Sequence, residues 1–498
     1  MQSGGRFVFG AALVVVALLW AGARADAPPS APLPPERLYV DAPGELATQN
    51  GIELRARYAF AGRSGWQVTD LDTGEVLDAH EADRSFAPAS VAKLPTALFA
   101  LHSLGPNHRF FTRLSKAGLV TNGSLQGDLF LVGGGDPELD SDGLAELVDD
   151  LARLGIKRVN GQFIVLPGSS LRAEEIDPDQ PGDVAFNPAV SGLNLNFNRV
   201  RLRWGRSAGD QALSVSAKAD RVDPPVEQVE VQTASANAPL FQHDQVDGRE
   251  VWTFNARALS GDGSRWLPVR GPELYAGDVF RQLARTRGVN LPPPTLGKVN
   301  PSARVIAERP SRTLDEILRD MLRFSTNLTA EVVGAAAARV SSGTNLGSLE
   351  QSAALMNGWI SHSSGFSPGD PRIRFVNHSG LSAESRVAPS RIVGLLASER
   401  MKGTGIEELL TSISVDDADD PLEVGQPAVL AKTGTMDRIR GLAGYITLPS
   451  GRRLAFAIFS NHLAGRLADR RAIAGGWMRG ARAFERALIR NWVRRFDG

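Results

Sequence analysis

The segment Pro88-Ala89-Ser90-Val91-Ala92-Lys93-Leu94 governs how the rest of the chain is read. Apolar residues at Val91, Leu94, Leu98 and Leu101 recur at helical spacing, so Ser90 to Leu104 reads as a helix with one buried stripe. Residues three apart lie one turn apart on one helix face, which puts the Ser90 hydroxyl within hydrogen-bonding reach of the Lys93 amine. A serine hydroxyl attacks poorly unless an adjacent base takes its proton. A lysine can be that base only where burial or neighbouring cations lower its pKa. Pro95 has no N–H to donate and is expected to distort the first turns.

Two later fragments complete the pattern: Ser325-Thr326-Asn327 and Lys432-Thr433-Gly434-Thr435. The first follows an amphipathic helix marked by Leu314, Ile317, Leu318, Met321 and Leu322; the second ends a strand running from Pro427 to Lys432. Each fragment alone has a plainer reading, as a helix cap, a solvated lysine or a local turn. All three in this order point to a serine acyl-transferase acting on an amide. Ser90 is the expected nucleophile and Lys93 its proton acceptor. Ser325 carries a hydroxyl that relays a proton to the leaving amine, and Asn327 offers a donor and an acceptor to a peptide backbone. Lys432 supplies a positive charge for a carboxylate, and Gly434 lets the strand backbone approach the substrate. Thr433 and Thr435 add hydroxyls, and the backbone N–H groups of Ser90 and Thr435 are the expected oxyanion hole. The seven histidines show no metal-ligand spacing, so neither a metal nor a cofactor is expected. Gly133-Gly134-Gly135 lacks the spacing of a phosphate cradle.

The bulk properties narrow the class. The 498 residues exceed one ordinary core, and 55 Lys+Arg balance 55 Asp+Glu, which gives no field favouring nucleic acid. There is no cysteine, which excludes disulfides and thiolate chemistry. Arg6, the apolar run Phe7 to Gly22 and Ala23-Arg24-Ala25 read as a cleaved signal peptide over 1–25. A proline-rich tether over 26–37 follows. At the other end, a helix from Asp469 to Phe496 sets Trp477, Ala481, Phe484, Leu488, Trp492 and Phe496 on one face. Arg479, Arg482, Arg486, Arg490 and Arg494 lie elsewhere on it. Packing of that apolar face onto a sheet is favoured, with at most peripheral membrane contact.

Gly65–Leu71 and Glu75–His80 flank Asp72-Thr73-Gly74 as a β-hairpin; Gly444–Leu448 and Arg453–Ser460 form another. Between about 172 and 287 the pattern changes to short polar-alternating strands, such as Arg199 to Trp204. Ser90 and Ser325 are 235 positions apart, far more than a compact site needs, so the middle of the chain reads as an insertion.

These residues resemble the low-molecular-mass penicillin-binding proteins of the D-alanyl-D-alanine carboxypeptidase/endopeptidase type. Gly133-Gly134-Gly135-Asp136-Pro137-Glu138-Leu139, Ser379-Gly380-Leu381-Ser382 and Leu442-Ala443-Gly444-Tyr445 extend the likeness. The resemblance implies a mixed α/β fold: a serine β-lactamase/transpeptidase-like catalytic domain with an antiparallel sheet and flanking helices. It also implies interruption by two smaller, mainly β, domains. The expected division is catalytic over 38–110 and 288–498, a second domain over 111–171 and 255–287, and a third over 172–254. The implied function is hydrolysis of peptidoglycan stem peptides in the periplasm through a Ser90 acyl-enzyme, with β-lactams acylating the same residue. A β-lactamase and a non-catalytic wall-binding scaffold are the competing readings. Two departures stand out. Asn377-His378 replace the family's usual Asp-Gly, and Leu166-Pro167-Gly168-Ser169 lack an acidic residue, which implies weaker recognition of a free amine on the third stem residue.

Overall fold

A computed structural model describes residues 49–497, apart from 59, 169, 208–209, 236, 299, 418–419, 421, 423–424 and 463–466. The expected signal peptide and tether lie outside the described residues. The first hairpin forms from Arg63–Asp70 (β1) and Val76–His80 (β2), with Asp70 Oδ1 accepting the amides of Asp72 and Thr73 in its turn. A 3-10 turn, Ala89–Ala92, then leads into helix α1 (Lys93–Leu104). Pro95 does not distort it. As the third residue of α1 it occupies a position whose N–H has no partner inside a helix, and the tight turn lies before it.

Helix α2 (Leu314–Phe324) opens on a capping box in which Thr313 and Glu316 satisfy each other. Ser325, with φ of 59°, ends α2 and reverses the chain into α3 (Asn327–Ser342). Three long strands follow, Ala428–Met436 (β3), Ile439–Thr447 (β4) and Arg453–Asn461 (β5), and then helix α4 (Leu467–Phe496). The sheet runs Thr411–Ser412, β3, β4, β5, β1, β2, and every pairing in it is antiparallel.

Nearly all residues of β4 and β5 are buried because helices cover both faces. On one face Val91 of the 3-10 turn, Leu94 and Leu98 of α1, Leu318 and Met321 of α2 and Val333 of α3 meet Ala443, Ala457 and Phe459. On the other, Trp477, Ala481, Phe484, Leu488 and Trp492 of α4 cover Trp66, Leu442, Phe456 and Ile458. Burying this many large side chains at about 1.5–3 kcal/mol each fixes α4 to the sheet. Arg490 is a correction to the simple two-sided picture of that helix. It is buried, donating to the Val415 carbonyl and pairing with Asp417 and Asp420.

The middle of the chain builds a mixed sheet in the order Pro294–Leu296, Phe163–Leu166, Ser124–Val132, Phe111–Thr121, Arg304–Pro310. Helices Ser141–Arg153 and Pro272–Thr286 share its core through Leu144, Val148, Val279 and Phe280. Two three-stranded sheets, formed from 199–216 with 263–268 and from 229–234 with 241–255, add Leu202, Trp252 and Leu267 to that core. Pairing of Arg304–Pro310 with Phe111–Thr121 carries this unit past the expected re-entry at 288, to Pro310.

Candidate active site

Lys93 is fully buried at the start of α1. Its Nζ lies 3.0 Å from Ser90 Oγ, 2.7 Å from Asn327 Oδ1 and 2.8 Å from the Ser379 carbonyl oxygen. A neutral amine has two hydrogens and one lone pair. Asn327 Oδ1 and the Ser379 carbonyl can only accept, so they take both hydrogens and leave the lone pair to the Ser90 hydroxyl. Burial drives the Lys93 pKa well below the ordinary lysine range, nearby Lys432 pushes it the same way, and Glu331 opposes both. Asn327 is oriented from its other end, where Nδ2 donates to the Phe186 carbonyl at 2.9 Å. Phe186 comes from the middle of the chain, so that part of the chain reaches the site.

The Ser379 carbonyl is delivered by a loop pressed against the 3-10 turn. Gly380 has φ of 72°, and a Cβ there would sit 2.0 Å from the Ala89 carbonyl oxygen, so only glycine fits. Asn377 Oδ1 accepts the Gly380 amide at 3.0 Å, a bond that an aspartate in its place could also make. His378 is buried beneath the site and does not line the cleft. Its Nε2 is 2.7 Å from Ser352 Oγ, and burial lowers its pKa to about 3, leaving it neutral.

Strand β3 closes the opposite side. A Cβ on Gly434 would lie 2.4 Å from the Pro88 carbonyl oxygen and 3.1 Å from the Ser90 nitrogen, which explains why the strand can pass so close to the serine. Lys432 is buried and donates to the Thr433 carbonyl at 2.7 Å; burial first and Arg440 second lower its pKa to about 7. Thr435 pairs across the hairpin with Arg440 of β4, whose Nη1 donates to Thr435 Oγ1 at 2.7 Å. Arg440 Nε in turn bonds both carboxylate oxygens of Glu485 on α4, at 3.1 and 2.9 Å. Because Thr435 Oγ1 accepts from Arg440, its own hydrogen is free to donate elsewhere. The side chain is exposed.

Ser90, Lys93 and Asn327 are therefore joined directly, with Lys432 near enough to act on Lys93 electrostatically. Ser325 is not joined to them. Its left-handed backbone is set by the reversal from α2 to α3, and among the described residues its hydroxyl makes no hydrogen bond, so the expected relay bond to Lys93 is not formed. Sequence reading passed over Glu331, Arg440 and Glu485, and met Ser379 only as part of the Ser379-Gly380-Leu381-Ser382 likeness. Only Glu331 carried a usable signal, lying one helical turn beyond Asn327 on the same face.

The two lysines set opposite limbs of a pH profile. With Lys93 as the expected base, its protonation at low pH is expected to give the acid limb. Lys432 is a cation only below about 7 in the free protein. The value of kcat/KM, which reports the free protein, is expected to fall as pH rises through about 7, whereas kcat persists to higher pH because a bound carboxylate holds the charge on Lys432. A kcat/KM that stays flat from neutral to alkaline pH would remove Lys432 from carboxylate recognition.

A family model for the D-Ala-D-Ala carboxypeptidase 3 (S13) family matches residues 59–479. The chain belongs to that family. As an S13 member it is a serine-type peptidase, a hydrolase. It is 27% identical over 432 residues to a D-alanyl-D-alanine carboxypeptidase of Actinomadura sp., a match covering 81% of this chain and 78% of the relative. It is 24% identical over 440 residues to the D-alanyl-D-alanine carboxypeptidase DacB of Haemophilus influenzae, covering 84% and 89%. The fold matches the crystal structure of penicillin binding protein 4 of Haemophilus influenzae with a TM-score of 0.72 at 22% identity, over 90% of this chain and 100% of that one. A second structure of that protein, complexed with a β-lactam, matches with a TM-score of 0.71 at 21% identity, again over 90% of this chain and 100% of that one.

Proposed function

We propose that this S13 peptidase cleaves the terminal D-alanyl-D-alanine amide of peptidoglycan stem peptides, and the equivalent amide in crosslinks, through an acyl-enzyme on Ser90. The observation that carries this is the geometry of Lys93: its Nζ lies 3.0 Å from Ser90 Oγ and 2.7 and 2.8 Å from two carbonyl oxygens that can only accept, so in the neutral amine the lone pair is left for the Ser90 hydroxyl. Ser90 Oγ attacks the carbonyl carbon while its proton passes to Lys93. The C–N bond then breaks, and the proton returns from the Lys93 ammonium to the departing amine. Water attacks the resulting ester with the same lysine as base, which frees Ser90. The amides of Ser90 and Thr435 stabilise the oxyanion, Asn327 and the β3 backbone hold the peptide, and Lys432, Thr433 and Thr435 hold the terminal carboxylate. Strained β-lactam amides acylate the same hydroxyl and leave slowly.

Such a substrate places the protein at the cell wall, in the periplasm after export. No helix among the described residues is long and apolar enough to cross a membrane.

The decisive experiment treats purified protein with a fluorescent penicillin, maps the adduct by peptide mass spectrometry and measures D-alanine released from a pentapeptide. A long-lived adduct on the peptide containing Ser90, together with D-alanine release, is expected. An adduct that vanishes at once without D-alanine release would make the protein a β-lactamase instead, and binding to sacculi with neither adduct nor release would leave only a scaffold. Muropeptide chromatography of digested sacculi then reports crosslink cleavage as monomers.

A further inference from the structure

We propose that Glu331 is a positioning residue for the base: its carboxylate clamps the backbone of His378 and Ser379 and so keeps the Ser379 carbonyl on the Lys93 amine. This rests on the acylation chemistry proposed above. Glu331 is fully buried, and its two oxygens accept the Ser379 amide at 2.7 Å and the His378 amide at 3.0 Å. Among the described residues no cation forms a salt bridge with it. Asn327 and Glu331 stand four apart on one face of α3. One helix therefore holds Lys93 twice, directly through Asn327 Oδ1 at 2.7 Å and indirectly through the clamped loop, whose carbonyl is at 2.8 Å.

An ionised carboxylate suits this task as an amide cannot. Each of its oxygens accepts, so both backbone N–H groups are satisfied at once, whereas glutamine would turn its own N–H2 toward one of them. The carboxylate also bears on the charge of Lys93. The groups acting on that amine are Lys432 from β3, which disfavours the ammonium, and Glu331 from α3, which favours it. Arg440 stands behind Lys432, and His378 in the loop is neutral. Burial itself pushes the Glu331 pKa up, and the Ser379 hydroxyl first, then the two amides and Lys93, counter that.

The test compares wild type, Glu331→Gln and Glu331→Asp for the rate of Ser90 labelling by fluorescent penicillin across pH, with melting temperatures alongside. In Glu331→Gln the labelling rate is expected to fall about a hundredfold, at the lower end of what a well-placed general base contributes. Its acid limb is expected to move to lower pH, because the charge that favours ammonium has gone. Glu331→Asp keeps the charge but is too short to reach both amides, so it is expected to lose rate while keeping the wild-type acid limb. A melting temperature that drops while rate per folded molecule and acid limb stay unchanged in both variants overturns the clamp and leaves a purely structural glutamate. If Glu331→Gln does not fold, an undiminished rate in Glu331→Asp overturns it alone. Failure of wild type itself to label at Ser90 would instead sink the acylation mechanism.

Discussion

Replacing Lys93 by methionine is expected to slow acylation of Ser90 about a thousandfold, within the range that a positioned general base contributes. Methionine matches the length of the stem and fills the same buried space, so the helix layer has little reason to move. What disappears is the lone pair facing Ser90 Oγ at 3.0 Å. Two carbonyl oxygens, on Asn327 and Ser379, lose their donor at the same time. Those orphaned acceptors offset the benefit of no longer burying an amine, so stability is expected to change little while the rate collapses. Stopped-flow labelling with a chromogenic β-lactam measures the rate, and urea denaturation measures the stability. Full-speed acylation in a folded Lys93→Met protein would mean that another group takes the serine proton.

Glu485→Ala is expected to cost about 3–5 kcal/mol of stability, the penalty for breaking a buried ion pair and leaving one charge unpaired. Glu485 and Arg440 are both buried, and the guanidinium Nε has no other acceptor in the hydrogen-bond network described above. The effect should also reach the cleft. Arg440 holds Thr435 Oγ1 at 2.7 Å, so loosening it lets the hydroxyl wander from the carboxylate position. KM is expected to rise more than kcat falls, measured on a pentapeptide, while the urea midpoint reports the stability. A loss below about 1 kcal/mol, the size expected of a solvent-exposed pair, would show that Arg440 finds another partner.

The parts of this site that could be read in the sequence are those set by local geometry. Ser90 and Lys93 meet because of helical spacing, and the β1–β2 turn follows from Asp72-Thr73-Gly74. The size of the gap before Ser325 is what raises the expectation of an insertion. What could not be read depends on register between distant segments. Arg440 faces Thr435 only because a two-residue turn, Asp437-Arg438, joins β3 to β4, whereas sequence reading ended the strand at Lys432. The Ser379 carbonyl reaches Lys93 from a loop 286 residues away, through a glycine whose close approach is invisible until the loop is placed. Arg490 reads as lying off the apolar face of its helix, because nothing local announces that Val415, Asp417 and Asp420 receive it.

The bond from Asn327 Nδ2 to the Phe186 carbonyl has a practical corollary for anyone wishing to shrink this enzyme. Excising 111–310 to leave a minimal catalytic module would delete the acceptor that tells the Asn327 amide which way round to sit. A flipped amide would present hydrogens to Lys93 in place of its oxygen. The truncated module would thus keep Ser90, Lys93, Ser325, Asn327 and Lys432 and still be miswired.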